Sequence, residues 1–212
     1  MKKLILVTLF FLFTGCQTAY YAAWEKVGVE KRDILVDRIE DAKESQEDAQ
    51  RQFSSALEEF SQLINFNGGE LQDVYNQLKD QFEASEDSAA SVTGRIDKVE
   101  SVAKALFDEW QEELEKYTNK TLKRDSQLNL KDTQRRYKTL LNAMRKAESK
   151  MAPVLSALRD NVLYLKHNLN ASAVGALQGE FSGIKKEINQ LVSEMNKAIA
   201  ESNSFISSIK SQ

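Results

Sequence analysis

The chain has 212 residues, of which 42% are hydrophobic and 29% charged, with a formal net charge of -3. These proportions fit a folded protein rather than a disordered one. The acidic balance argues against a nucleic-acid-binding protein, because sustained phosphate binding needs a basic face. With one proline and eight glycines, few residues interrupt helices, so we expect an all-α fold.

The first fifteen residues have the pattern of a bacterial export signal. Lys2 and Lys3 precede an apolar run over residues 4–13, which is too short to span a bilayer as a mature helix. We predict a lipoprotein-type signal peptide over residues 1–15, a lipid anchor and membrane-proximal segment over 16–29, and a long helical bundle over 30–212. Loss of the two lysines would move the net charge from -3 to -5.

Cys16 is the only cysteine of the chain and the predicted lipidation site. Thr14-Gly15-Cys16 resembles the lipobox of bacterial lipoproteins, in which the cysteine is acylated and becomes the first mature residue, although Phe13 stands where lipoboxes usually have Leu. An unpaired thiol is unexpected in an oxidising compartment unless it is used, and acylation is such a use. The alternative is a bystander thiol near an ordinary cleavage site. In lipoproteins of two-membrane bacteria, an Asp directly after the acylated cysteine tends to mark retention in the inner membrane. Gln17 occupies that position here and therefore favours the outer membrane.

Three aromatic residues, Tyr20, Tyr21 and Trp24, follow the predicted anchor. Tyrosine and tryptophan favour the membrane–water interface, where the ring is in an apolar layer and its polar edge stays hydrated. These residues are therefore predicted membrane-interface residues. In the alternative interpretation, Tyr21 and Trp24 extend the apolar stripe of the first helix upstream and pack on the bundle.

Two long apolar stripes with a spacing of about 3.5 residues predict the first two helices. Asn67-Gly68-Gly69 is a turn signal between them, so we expect the first helix to end near Asn65. The weak centre of the second stripe, EASEDSAAS, keeps the helical phase, and we expect one continuous helix there. The first stripe comprises Leu35, Ile39, Ala42, Gln46, Ala49, Phe53, Ala56, Phe60 and Leu63; the second comprises Leu71, Tyr75, Leu78, Phe82, Ser85, Ala89, Val92, Ile96, Val99, Ala103, Leu106, Trp110 and Tyr117.

Two further stripes predict the third and fourth helices. A connection is expected over YTNKTLKRDSQ, with Asp125 or Ser126 as N-cap, and Pro153 predicts a kink near residues 149–152. The third stripe comprises Leu130, Tyr137, Leu141, Met144, Glu148, Met151, Leu155, Leu158, Val162, Leu165 and Leu169, widened by Leu140, Ala147 and Val154. The fourth comprises Val174, Leu177, Phe181, Ile184, Ile188, Leu191, Met195, Ala198, Ser202, Phe205 and Ile209.

The predicted fold is an elongated antiparallel up-down bundle of four long, coiled-coil-like helices. Short connections between long helices favour this topology. Gly175, Gly179 and Gly183 recur every four residues in the fourth helix. They indicate either a weak helix start or a close contact with another helix.

Two stretches of the chain resemble a known family. YYAAWEKVGVEKRDILVDRIEDA and MRKAESKMAPVLSALRDNVLYLKHNLNA are similar to bacterial lipoproteins grouped as domain of unknown function 2959, and the resemblance covers most of the mature chain. It implies a helical envelope protein and assigns no catalytic residue.

A search for catalytic or metal-binding patterns gives no candidate. The sole histidine, His167, lies beside Lys166 at the expected end of the third helix, where cations are favourable, so helix termination explains it better than a site does. Without a second histidine or cysteine, a zinc site lacks ligands. Acidic runs such as DEWQEELE are expected to form solvated helix faces. Glu148 is the exception, because it falls within the third apolar stripe.

We therefore expect a non-enzymatic lipoprotein without a cofactor or metal, held by its lipid on the periplasmic side of the outer membrane. There it would act as a scaffold or adaptor for envelope proteins whose identity the sequence does not give. The alternative is a periplasmic ligand-binding or sensory bundle, in which Gln46, Ser85 or Ser202 could face a ligand between the helices. Isolated polar residues of this kind more often fix the register of packed helices.

Overall fold

The structure, a computed structural model, describes residues 30–65 and 71–211. These residues form α-helices without a strand: α1 (Lys31–Ile64), α2 (Leu71–Leu114), α3 (Lys120–Ser149), α4 (Met151–His167) and α5 (Ala171–Lys210). Helices α3 and α4 follow one another along the same side of the molecule, and both pack against α2 and α5. The molecule is therefore an all-α bundle of four long helical segments, as predicted.

Contacts of α1 with both of its neighbours show that these helices are antiparallel. Lys31 Nζ at the start of α1 lies 3.0 Å from Glu109 Oε1 near the end of α2. On the other side, Lys210 Nζ at the end of α5 lies 3.2 Å from Glu40 Oε1 near the start of α1. Both the α1–α2 pair and the α5–α1 pair therefore run in opposite directions.

The other two interfaces complete the ring of antiparallel neighbours. Arg145 of α3 binds Asp97 of α2 with a separation of 2.6 Å, and Lys146 of α3 binds Glu194 of α5 with a separation of 3.1 Å. Trp110 Nε1, late in α2, donates to Ser126 Oγ, early in α3, over 2.8 Å. Because every neighbouring pair is antiparallel, the chain follows the predicted up-down-up-down course.

The core follows the apolar stripes closely in α1 and α5. All nine stripe residues of α1 are buried, and in α5 every stripe residue is buried except Phe181, which is half-buried. Phe60 and Phe181 stack with ring centroids 5.7 Å apart, which ties these two helices together. Helices α1 and α5 keep the 3.5-residue period because each packs against its neighbours along nearly its whole length.

Helix α2 is continuous through its weak centre, as predicted. Ser85 and Ala89 are buried there at the expected helical spacing, and the Ser85 hydroxyl donates to the Gln81 carbonyl over 2.7 Å. Small side chains let neighbouring backbones approach, so a polar-looking sequence still forms a packed surface. Helix α1 ends at Ile64 with Asn65 as its C-cap, also as predicted.

Helical structure is interrupted at Lys150, between α3 and α4. Pro153 occupies the third position of α4, where its missing N–H and its ring disrupt the preceding turn. The Lys150 amide instead bonds back to the Ala147 carbonyl over 3.1 Å. The predicted kink near residues 149–152 is confirmed.

The predicted start of α3 is wrong. We expected Asp125 or Ser126 as N-cap, but the helix begins at Lys120, and the Asn119 side chain accepts hydrogen bonds from the Thr121 and Leu122 amides. An asparagine cap satisfies two amides that the first helical turn leaves unpaired. The earlier start adds residues without an apolar stripe, which is why periodicity failed to locate it.

Tyr117, Leu169 and Glu148 show where the predicted stripes depart from the core. Tyr117 lies beyond the end of α2 and is 40% exposed, and Leu169 lies beyond the end of α4 and is 37% exposed. Glu148 is an edge residue, and Ala147 beside it is fully buried. Helix α2 ends three residues before Tyr117 and α4 ends two residues before Leu169, whereas at Glu148 the buried position is one residue earlier in the chain.

The glycines of α5 make no close contact with another described helix. A Cβ atom placed on Gly175, Gly179 or Gly183 would meet nothing within 4 Å. The interpretation of a close helix contact is therefore not supported within the described part of the bundle. No helix in residues 30–65 and 71–211 has an apolar stretch long enough to cross a bilayer.

Candidate functional site

Among the buried polar residues of the described bundle, three have no exposed surface at all, one each on α1, α2 and α5. Gln46, Ser85 and Ser202 all have 0% exposure. The Ser202 hydroxyl donates to the Ala198 carbonyl over 2.8 Å, and Ser85 makes the equivalent bond to Gln81. Each serine therefore satisfies its own hydroxyl one turn back along its helix, leaving no donor free for a ligand.

Gln46 differs from the two serines. Its Nε2 and Oε1 atoms are both buried, and neither has a hydrogen-bond partner among the described residues. A buried amide without partners destabilises the folded state, since it gives up its hydrogen bonds to water. Gln46 is therefore the one core side chain of the described bundle whose polar atoms still have capacity to bind.

A cluster of charged residues joins α2 to α3 around Arg145. Its guanidinium contacts Asp97 over 2.6 Å and Glu148 over 2.8 Å, and it also pairs with Glu100. Partial burial lowers the pKa of Arg145, but the hydrogen bonds to these carboxylates outweigh it and raise the pKa above its usual range. Arg145 is therefore a permanent cation that holds the two helices in register.

Sequence reasoning noticed Glu148 but missed the rest of this cluster. Glu148 belongs to the predicted third stripe, but its side chain lies at the edge of the core. There it accepts a hydrogen bond from Arg145. Asp97 and Glu100 belong to another helix, 48 and 45 residues away along the chain. Only the alignment of α2 with α3 brings them together, and the sequence pattern does not give that alignment.

Tyr137 lies beside this cluster, between α2 and α5. Burial raises the pKa of its hydroxyl, and the nearby Glu100 carboxylate raises it further. Its ring meets Phe107 edge to face, with centroids 5.4 Å apart. A neutral, packed tyrosine in this position stabilises the interface and has no feature of a general base.

The other ion pairs of the described residues lie along helix faces or between neighbouring helices. Asp41 accepts from Arg38 over 3.1 Å and from Arg95 of α2 over 2.8 Å. The described residues contain no group of three or more His, Cys, Asp or Glu side chains that could hold a metal ion. His167 is the last residue of α4 and is followed by Asn168 as C-cap, consistent with a role in helix termination.

The predicted lipidation site and interface residues lie outside the described part of the chain. Cys16, Tyr20, Tyr21 and Trp24 all precede residue 30, where the described structure begins. The described bundle fixes only where their segment joins: Glu30 is the N-cap of α1. The start of α1 is thus the point from which an N-terminal anchor would extend.

Comparison with known proteins identifies the family. The family described as protein of unknown function (DUF2959) matches residues 20–209. The chain belongs to this family. The DUF2959 match starts ten residues before the first described residue, so the matched range includes Tyr20, Tyr21 and Trp24. No curated protein and no solved structure matches the chain.

Proposed function

We propose that this DUF2959 protein is a lipid-anchored lipoprotein of the bacterial outer membrane, facing the periplasm, and that its bundle is a non-enzymatic scaffold or adaptor. The observation that carries the proposal is the geometry of the rod relative to the predicted anchor. Helix α1 begins at one end of the bundle and runs along it for 34 residues. An anchor upstream of Lys31 would therefore hold the rod by one end.

The dimensions of the helices suit a spacer or scaffold. With a rise of about 1.5 Å per residue, the 44 residues of α2 extend over roughly 65 Å. Antiparallel neighbours and interhelical ion pairs on several faces make the bundle a stiff body rather than a flexible linker. A stiff rod held at one end presents its sides and far end to other envelope proteins at a fixed distance from the membrane.

Acylation of Cys16 is the step on which the location depends. We expect mass spectrometry of the native protein to show a mature chain that begins at Cys16 and carries acyl groups. Cys16→Ser should release the protein from membranes without unfolding it, while Trp24→Ala should remain in the membrane fraction. An unmodified N-terminus, or a Cys16→Ser protein that still sediments with membranes after a high-salt wash, would contradict the proposal.

The scaffold role needs its own experiment. Crosslinking in intact cells, followed by purification of the lipidated protein, should recover defined envelope proteins attached through side chains of the bundle. The matched control is Cys16→Ser, which has the same bundle surface but should lose partners that meet it only at the membrane. Recovery of the same background proteins with both variants would contradict the scaffold role.

Gln46 favours a second candidate function, a periplasmic ligand-binding or sensory bundle. Its amide can donate and accept hydrogen bonds, and both of its polar atoms lack described partners. A small polar molecule held between the helices would use that capacity. Native mass spectrometry of the protein purified from membranes should then show a bound small molecule, which Gln46→Leu would lose while the helical content stays the same.

A further inference from the structure

The hairpin between α2 and α3 projects beyond the rest of the bundle. Lys31, the first residue of α1, lies level with Glu109, and α2 continues to Leu114 before the chain turns. On the other side, Tyr137 of α3 is level with Phe205, six residues before the end of described α5 structure at Ser211. The last residues of α2 and the first ten of α3 therefore have no α1 or α5 beside them.

This projection points in the direction from which the N-terminal segment enters. Ten helical residues correspond to about 15 Å, so the turn between Leu114 and Lys120 lies about that far beyond the end of α5. Residues 115–128 are called the hairpin tip below. The tip is at the same end of the rod as the start of α1, where an anchor would be attached.

The hairpin tip exposes large apolar side chains. Tyr117 is 40% exposed, Leu122 55% and Leu128 54%. Single exposed leucines are ordinary on protein surfaces, but Tyr117 and Leu122 lie together at the projecting turn. Leu128 lies six residues, about 9 Å, further along α3. Tyrosine in particular favours the membrane–water interface, where its ring is in the apolar layer and its hydroxyl is hydrated.

Cations surround the apolar residues of the tip. Residues 116–124 include four cations and no acidic residue: Lys116, Lys120, Lys123 and Arg124. Lys123 binds Glu115 over 3.1 Å, and the other three have no carboxylate within 4 Å among the described residues. Asp125 follows immediately, while Glu112 and Glu113 lie further back along α2. The outermost part of the hairpin is therefore its most positive part.

We propose that the hairpin tip binds the surface of an anionic lipid bilayer, next to the lipid anchor, and holds the rod upright on the membrane. This inference rests on the proposed anchoring at Cys16 for its orientation. Exposed Tyr and Leu side chains enter the interfacial layer, and Lys and Arg are attracted by anionic headgroups. The fourteen residues 16–29 reach at most about 50 Å, enough to place the anchor and the tip on the same surface.

The single cysteine allows a direct test of depth. Lipidation converts the sulfur of Cys16 into a thioether, so a cysteine introduced into the lipidated protein is the only thiol that reacts with an environment-sensitive fluorophore. Thr118→Cys and Leu122→Cys report on the tip, because both residues are exposed at its turn. Leu163→Cys is the matched control, because Leu163 is 52% exposed on α4, close to the opposite end of the rod.

The labelled proteins are reconstituted in vesicles of phosphatidylethanolamine and phosphatidylglycerol that contain lipids brominated on the acyl chain. We expect quenching of the two tip labels and none at position 163. Tip labels that stay unquenched on protein bound to vesicles would overturn the tip proposal and leave the anchor intact. Reaction of the unsubstituted protein with the fluorophore would instead contradict the anchor.

A second experiment tests the tip without the anchor. The mature chain with Cys16→Ser, residues 16–212 without the predicted signal peptide, is sedimented with vesicles of phosphatidylglycerol or phosphatidylcholine, and we expect binding only to the anionic vesicles. Lys120→Gln should weaken that binding about fivefold, the equivalent of about 1 kcal/mol for one cation at an anionic surface. Lys186→Gln, on α5 away from the tip, should leave it unchanged. Equal binding to both lipids, or equal effects of both substitutions, would overturn the proposal.

Discussion

The ring of Tyr137 on α3 meets the ring of Phe205 on α5 edge to face, with centroids 6.3 Å apart. Phe107 of α2 contacts the other side of Tyr137, so three helices meet through a row of aromatic rings. Such pairs add to the stabilisation that burial itself gives. This row lies just before the point where α2 and α3 continue without α1 or α5 beside them. It closes the four-helix core at the end of the bundle where α1 begins.

Phe205→Ala should lower the free energy of unfolding by about 3 to 5 kcal/mol, because it removes a fully packed ring and leaves a cavity. Phe205 is only 2% exposed. Chemical denaturation followed by circular dichroism measures the change. Leu122→Ala, at a position that is 55% exposed, is the control and should change stability by about 0.5 kcal/mol or less. Equal effects of the two substitutions would contradict the assigned core.

Phe205 also illustrates what periodicity predicts well. Its burial follows from Leu191, Met195 and Ala198 at helical spacing, and the whole of α1 follows its stripe in the same way. A helix that packs along its full length must repeat its apolar residues in phase with the helix, so the pattern determines both the helix and its buried face.

Periodicity fails where a helix packs on one neighbour only. The first ten residues of α3 face α2 without α1 or α5, so they need no continuous apolar stripe. Without a stripe to mark the first turn, Asn119 cannot be told from the other possible caps, Asp125 and Ser126. The Arg145 cluster was missed for a different reason. Its carboxylate partners on α2 are found only when the offset between α2 and α3 is known, and a one-dimensional pattern does not contain that offset.

Arg145→Gln should destabilise the protein by about 1 to 2 kcal/mol at pH 7. This is less than the loss of a cation from a buried charge cluster would cost, because the carboxylates around Arg145 are partly solvated. It leaves Asp97, Glu100 and Glu148 close together without their cation. Urea unfolding at pH 7 measures the loss.

Arg51→Gln is the control for the Arg145 prediction. Arg51 pairs with Asp48 within α1, and both side chains are more than half exposed, so the pair should contribute little. The expected result is a small change in stability. An equally small effect of Arg145→Gln would show that the cluster around Arg145 does not hold α2 and α3 together.

Glu194 should give the protein a pH-dependent link between α5 and α3. Hydrogen bonds from Lys197 and then Lys146 hold the pKa of its carboxyl below the ordinary value of 4.5. Because the folded-state pKa is the lower one, the stabilisation is present above about pH 4.5 and is lost as the pH falls through the folded-state pKa. Acidification should therefore weaken this contact.

Glu194→Gln should accordingly lower the unfolding midpoint at pH 7 and should match the unsubstituted protein at the acidic end of the titration. Thermal unfolding from pH 7 down to pH 3 gives the comparison. Glu113→Gln makes the same change of charge at an exposed position of α2 and should leave the midpoint nearly unchanged. A Glu194→Gln effect that stays constant with pH would show that packing, rather than charge, is responsible.

Gln46→Leu should raise the free energy of unfolding by about 1 to 3 kcal/mol, the range for a buried polar group without hydrogen bonds. The substitution nearly preserves side-chain volume and replaces an amide whose two polar atoms lack described partners. Ser85→Ala is the control, because the Ser85 hydroxyl already bonds to Gln81 and its loss should change little. Denaturation of the purified protein measures the stability of both variants. A lower stability for Gln46→Leu would mean that the amide binds a molecule in the folded bundle. That result would favour the ligand-binding function over the scaffold.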